Sequence, residues 1–262
     1  MSNRLRLAAT VILARPASPP AGLEIYMTRR NSGSAFAPDA FVFPGGTVDQ
    51  TQDLSPAARA RTLGLDVGRV SAEFKRANVA PEPGIPIAAL RELFEEAGIL
   101  IARTRDESPV DARRVRSGGV QAQRMRLQNG ELTFADFLHE RDWFADARAL
   151  AFFSHWITPP SEPRRYDTHF FFALAPIDQA GRADAYETHD GIWITPADAL
   201  ARHRDGAFHL VYPTIKHLER LTSFDSIDDA LAFARSKPIV TIVPSATPED
   251  GFVMPAALEN AW

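Results

Sequence analysis

The chain has 262 residues, 45% of them hydrophobic and 24% charged, with a formal net charge of −4 at pH 7. That balance suits a globular protein with a sizeable core and argues against a surface built to bind nucleic acid. Cysteine is absent, which excludes disulfides, thiolate metal sites and cysteine nucleophiles.

"LAATVILA" (7–14) and "LEIYMTRR" (23–30) predict two strands joined by a proline-rich turn at 16–22. The first apolar run is short, ends in Arg15-Pro16 and lacks a small-residue cleavage pattern, so a strand is preferred to a secretion signal. "AFVF" (40–43) predicts a third strand, stopped by Pro44-Gly45-Gly46. "SPAARARTLG" (55–64) and "RVSAEFKRAN" (69–78) predict short helices capped by Ser55 and Ser71, closed by Pro81, Pro83 and Pro86. A helix over 87–97 follows, with Gly98 as its C-terminal cap. The stretch 104–147 turns charged and helical, with Gly118-Gly119 as a break. Strands resume at "LAFFSHWIT" (150–158), "THFFFALAP" (168–176) and "GIWIT" (191–195). Helices over 196–204, 213–222 and 226–236, a strand "PIVTIV" (238–243) and a loose tail complete the chain.

This order predicts one α/β domain over 5–243, with helical insertions at about 50–85 and 104–147 and a tail over 244–262. No run approaches the roughly eighteen apolar residues of a membrane span. The expectation is a soluble cytoplasmic protein with neither membrane nor nucleic acid as partner.

The 87–97 helix carries the chemistry. At about 100° per residue, Glu92, Glu95 and Glu96 share one arc, while Leu90, Leu93, Phe94 and Ala97 share the opposite one. Carboxylates about 5 Å apart repel by about 3 kcal/mol per pair at an effective dielectric near 20. They stay ionised only if solvated or neutralised by cations, and hard oxygen donors suit magnesium or manganese. A solvated acidic face with an Arg91–Glu95 pair is the plain alternative, which the helix alone leaves open.

A second signal is "RELFEEAGI" (91–99), which resembles the Arg-Glu-apolar-x-Glu-Glu-x-Gly-apolar half of the Nudix box, with Phe43-Pro44-Gly45-Gly46 as that box's beginning. The family's usual glutamate six residues after the second glycine is replaced by Gln52, and an inserted excursion separates the two halves. Loop closure costs little extra as a loop lengthens, so one interrupted site is tolerable. The resemblance implies a Nudix-type α/β/α sandwich with a mixed sheet and two helical insertions. It implies a hydrolase of a nucleoside diphosphate linked to another moiety, with Gly46, Glu92, Glu95 and Glu96 as ligands of Mg2+ or Mn2+ and Arg91 orienting the glutamates. "ETHDGIW" (187–193) matches a late acidic loop of that family, making Glu187 a candidate base or ligand and Asp190 its rival.

Phe36, Pro38 and Val42–Gly46, with "WITP" (156–159) and "PRRYDTHFF" (163–171), resemble the peroxisomal-type CoA diphosphatase branch of that family. The implied substrate is a small nucleotide, CoA or acyl-CoA. The alternatives are an ADP-ribose or dinucleotide pyrophosphatase and a non-catalytic nucleotide-binding regulator. Paired guanidinium groups suit phosphate, so Arg164 and Arg165, and with them Arg29 and Arg30, are substrate-binding candidates. Arg164 or Arg165 pairing with Asp167 to fix the loop is the plain alternative. The insertions cover the site, form a homodimer interface, or both.

Overall fold

A computed structural model of the chain describes residues 5–17, 22–30, 32–33, 37–80, 82–177, 179, 191–247, 251–259 and 262. β1 (Arg6–Pro16) is its spine. Ala9, Val11 and Leu13 point into one apolar cluster, and Ile12 and Ala14 into another on the opposite face. A strand apolar on both faces has to be covered on both. β2 (Leu23–Arg29) pairs antiparallel with β1, β3 (Phe41–Val42) with β2, and β4 (Gly45–Thr47) with β1.

The excursion after β4 contains α1 (Pro56–Ala60), β5 (Thr62–Leu63) and α2 (Val67–Lys75). Ser55 caps α1 as expected, its side chain accepting from the Ala58 N–H at 3.1 Å. Ser71 lies inside α2, whose cap is Asp66. The acidic helix, α3 (Gly84–Ala97), starts three residues before the expected Ile87. Pro86 fits its first turn, where the N–H it lacks would have no helical partner anyway. Gly98 ends α3 at φ 67, the left-handed conformation expected of that cap.

β6 (Ala102–Thr104), α4 (Ala112–Val115), α5 (Gly118–Gln128), α6 (Phe134–Arg141) and β7 (Trp143–Asp146) follow. Gly118 and Gly119 open α5 rather than break it. β5, β6 and β7 form a separate three-stranded sheet that the sequence pattern did not reveal, because each strand is two to four residues long. The excursion also joins the main core: Phe74 packs 5.4 Å from Phe152 and 5.7 Å from His169, ring centre to ring centre.

β8 (Ala151–Ile157), β9 (Tyr166–Leu174) and β10 (Gly191–Ile194) return to the large sheet. β9 pairs parallel with β1 and antiparallel with β8. An irregularity between Phe152 and Ser154 turns neighbouring Phe153 and Ser154 both toward His217. α7 (Pro196–Arg204), α8 (Tyr212–Leu221) and α9 (Ile227–Ser236) follow. β11 (Thr241–Ile242) completes a mixed sheet in the order β10-β2-β1-β9-β8-β11.

The apolar cluster shared with α3 lies on one face and that shared with α8 and α9 on the other, giving an α/β/α sandwich. The end of the chain is not loose. Ser245–Thr247 and Gly251–Val253 form a hairpin, and Trp262 is buried edge-on against Trp156 and His217.

Candidate active site

The two halves of the motif meet. β4 lies on β1, with Gly46 opposite Ala9 and Gly45 opposite Thr10. α3 packs against β4, and side chains are excluded from both glycines: a methyl group at Gly46 would fall on the Glu92 carboxylate of α3, and one at Gly45 on the Ala9 carbonyl of β1. The Gly45 N–H donates to the Glu96 carboxylate at 3.0 Å. Leu90, Leu93 and Phe94 are buried on the other side of α3, as the helical period requires.

Arg91 is not a surface partner of Glu95. It is 4% exposed and sits at the centre of the cluster. It donates to Glu92 at 2.8 Å, to Glu95 at 3.2 Å and to the Thr47 carbonyl at 3.1 Å. It also grips both oxygens of Asp53 at 3.0 Å each. Asp53, 1% exposed, is the carboxylate that sequence reasoning missed. Gln52, where the family pattern expects glutamate, faces away, its side-chain oxygen 3.4 Å from the Phe134 N–H. The acid that meets Arg91 thus stands one residue beyond the position where the family pattern expects it.

Burial pushes the Glu95 carboxyl up to about 7 against the pull of Arg91, with the Glu92 charge adding to the rise. Burial likewise pushes Glu96 up to about 7 against the Gly45 hydrogen bond, and Glu92 is also raised. Burial raises the Asp53 carboxyl too while Arg91 opposes it, and the two-oxygen grip is that of an ionised pair. Burial disfavours the Arg91 cation, but Asp53, Glu92 and Glu95 hold its proton more tightly than usual. The cluster therefore carries more acid than its arginine neutralises. Crowded carboxyls with raised proton affinity are the donor set a hard divalent cation relieves, so the residues present fit such an ion.

Glu92, Glu96, Gly45 and Gly46 line one end of a cleft of about 710 Å3 between the sheet and the start of α8. Its other walls include Trp156, Tyr166 and Tyr212, with Phe252 from the C-terminal hairpin. Tyr212 fastens that hairpin, its hydroxyl accepting from the Met254 N–H at 2.6 Å. Glu95 lies outside the lining, against Arg91.

The arginines are placed differently from expectation. Arg29 is tied to Asp39 at 2.9 Å on the surface, and it is the next residue, Arg30, that lines the cleft. Strand alternation turns one of two adjacent arginines inward, which a sequence cannot orient without the register. Arg165 donates to the Thr158 carbonyl at 3.0 Å, and Arg164 is exposed beside it; neither lines the cleft, although Glu162 and Tyr166 around them do. Arg6, which sequence reasoning did not single out, lines the cleft opposite Tyr166 in the β1–β9 register. Asp167 pairs with His155 at 2.5 Å rather than with an arginine. Glu187 and Asp190 lie outside the described residues. Among the described residues, no helix is long and apolar enough to cross a membrane.

The family model of the NUDT19 Nudix domain matches residues 5–221. The chain is 29% identical over 299 residues to the acyl-coenzyme A diphosphatase NUDT19 of Gallus gallus, covering 97% of this chain and 79% of that one. It is 27% identical over 277 residues to the protein of the same name from Homo sapiens, covering 90% and 74%. The crystal structure of a NUDIX hydrolase from Alicyclobacillus acidocaldarius matches the fold with a TM-score of 0.70 at 24% identity, covering 88% of this chain and 97% of that one. The family model spans both halves of the interrupted box, which the fold brings together at Gly45, Gly46 and α3, and the chain belongs to the Nudix hydrolases of the NUDT19 type.

Proposed function

We propose that the chain hydrolyses the diphosphate of CoA or acyl-CoA: water adds across one P–O–P linkage to give 3′,5′-ADP and phosphopantetheine or its acyl form. The observation that carries this is a cleft of about 710 Å3 lined by Glu92, Glu96 and Gly46 together with aromatic and basic side chains. That is room for a nucleotide-sized ligand rather than for a diphosphate alone. Support for the substrate comes from the relatives' names, both those of acyl-coenzyme A diphosphatases.

Nudix hydrolases need divalent metal ions, and Mg2+ or Mn2+ is the ion proposed here. Glu92, Glu95, Glu96 and the Gly46 backbone would hold it, and it would supply charge neutralisation at the diphosphate and an activated water. Arg91 opposes the rise that burial imposes on Glu92 and Glu95 and holds both by hydrogen bonds, itself anchored from behind by Asp53. The Gly45 N–H holds Glu96. Arg6 at the cleft wall is proposed to meet the 3′-phosphate, with Arg164 and Arg165, which flank Tyr166 just outside the lining, as its candidate helpers. Tyr212 and Phe252 also wall the cleft and would exclude water from the bound substrate. Glu187 is proposed as the base or an additional ligand.

The test is turnover of CoA, acyl-CoAs, ADP-ribose and NADH under Mg2+ and under Mn2+, with products identified by mass. Release of 3′,5′-ADP from CoA or acyl-CoA with the highest kcat/KM supports the proposal. Preference for ADP-ribose or NADH moves the substrate within the family, and no turnover of any of them with either ion overturns the catalytic assignment.

A further inference from the structure

The second helical insertion reaches the acidic helix at its C-terminal end. Arg124, on α5 and 9% exposed, lays its guanidinium across the last turn of α3. Its Nε donates to the Phe94 carbonyl at 2.9 Å and the Glu95 carbonyl at 3.2 Å. A terminal nitrogen donates to the Glu95 and Glu96 carbonyls, at 3.1 Å each. Gln128, one turn further along α5, donates to the Glu95 carbonyl as well. Gly98 leaves room for this contact, since a Cβ there would stand 3.1 Å from the guanidinium.

A helix leaves its last four carbonyls without helical partners, and its final turn frays unless something holds it. Glu95 and Glu96 are on that turn, since α3 ends at Ala97. The backbone atoms Arg124 grips therefore belong to the same residues whose carboxylates face Arg91 and Gly45. The guanidinium also meets the negative end of the helix dipole, where a cation is favoured.

We propose that Arg124 is a positioning residue for the reaction: it locks the final turn of α3 and so sets the spacing of Glu95 and Glu96 toward the divalent ion. This rests on the assignment of the ion to Glu92, Glu95 and Glu96 made above. It also gives the second insertion a purpose. The first insertion holds α3 through Asp53 and Arg91, and the second holds its end through Arg124.

The sign of the effect separates positioning from plain electrostatics. Arg124 is a cation close to a cation site, so removing its charge alone would tighten metal binding. Loss of positioning weakens it. Mn2+ binding to the full-length protein, followed by electron paramagnetic resonance well below the melting temperature, reads this without turnover. Arg124→Met is expected to weaken Mn2+ binding about tenfold, the lower end for losing a group that orients metal ligands. Arg124→Lys keeps the charge but cannot span three carbonyls, and falls between. Val120→Ala, a cavity elsewhere in α5, lowers the melting temperature yet binds Mn2+ as the unmodified protein does. Unchanged or tighter Mn2+ binding by Arg124→Met overturns the proposal, and Arg124→Lys decides it in the same way if the Met variant does not fold. If the unmodified protein shows no Mn2+ site that Glu95→Gln with Glu96→Gln removes, the metal assignment falls and this proposal with it.

Discussion

Replacing Asp53 by asparagine tests the corrected site most directly. The substitution keeps shape and one acceptor oxygen, but it removes the charge and sets an NH2 group against a guanidinium nitrogen. Asp53 and Arg91 are 1% and 5% exposed in their side chains, so water does not replace the lost partner. Removing one member of a buried pair costs about 3–5 kcal/mol when the other is left uncompensated. Arg91 retains Glu92 and Glu95, so the loss is nearer the about 2–3 kcal/mol of charged hydrogen bonds. For a chain of this length that is a fall of about 5–10 °C in Tm. Released from Asp53, the guanidinium can shift toward Glu92 and Glu95 and compete with the metal ion, so activity at low Mg2+ falls about tenfold and recovers in part as Mg2+ rises. Thermal melts and Mg2+ titrations of turnover measure both. Gln52→Ala is the control and should cost under about 0.5 kcal/mol, because Gln52 is outside the cluster. A Gln52→Ala variant hurt more than Asp53→Asn would show that position 52, although a glutamine, keeps the role the family pattern gives it and that Asp53 does not carry it.

Glu95→Gln and Glu96→Gln each remove a negative ligand at constant size, and each should lower kcat at saturating Mg2+ by about a hundredfold or more with the fold intact by circular dichroism. Near-normal turnover in both would leave the acidic face merely structural. Arg164→Ala with Arg165→Ala should raise KM for CoA about ten- to a hundredfold while affecting dephospho-CoA much less; equal losses on both would place the arginines on the diphosphate or the loop. His217 is fully buried, with Nδ1 2.6 Å from the Pro213 carbonyl and Nε2 2.6 Å from the Ser154 hydroxyl, and burial pushes its pKa down to about 3. Below its ordinary pKa of about 6.5 the unfolded chain takes up a proton that the folded one refuses, so its contribution to stability is full above that pH and declines toward pH 3. Urea unfolding from pH 7 to 4 should show a slope against pH shallower by about 1.4 kcal/mol per unit in His217→Gln, and parallel slopes would mean that the folded protein protonates His217 as easily as the unfolded chain does.

Much of the local structure needs only the sequence. The continuous apolar runs of β1 and β8 set strands that must be covered on both faces. The spacing of Leu90, Leu93 and Phe94 against Glu92, Glu95 and Glu96 sets an amphipathic helix with an acidic arc. Those are patterns within a single element, and steric and hydrophobic forces act on them locally.

What the sequence does not carry is anything that depends on which distant segment returns to which place. Asp53 could be recognised as the partner of Arg91 only after the excursion had folded, because 38 positions separate the two and no local pattern relates them. Arg124 reaching the carbonyls of Phe94, Glu95 and Glu96, and Phe252 walling the cleft, are decided in the same way, by the packing of one insertion and the C-terminal hairpin against a finished sheet. Register decides the arginines: in β2 and the residue after it, Arg29 turns to Asp39 and Arg30 to the cleft, although side by side in the chain they look alike. The composition of the acidic helix thus sets an acidic arc, while burial beneath Gly46 and the grips of Arg91, Gly45 and Arg124 decide how its carboxylates are held, since long-range contacts form only once the chain is compact and water has been excluded.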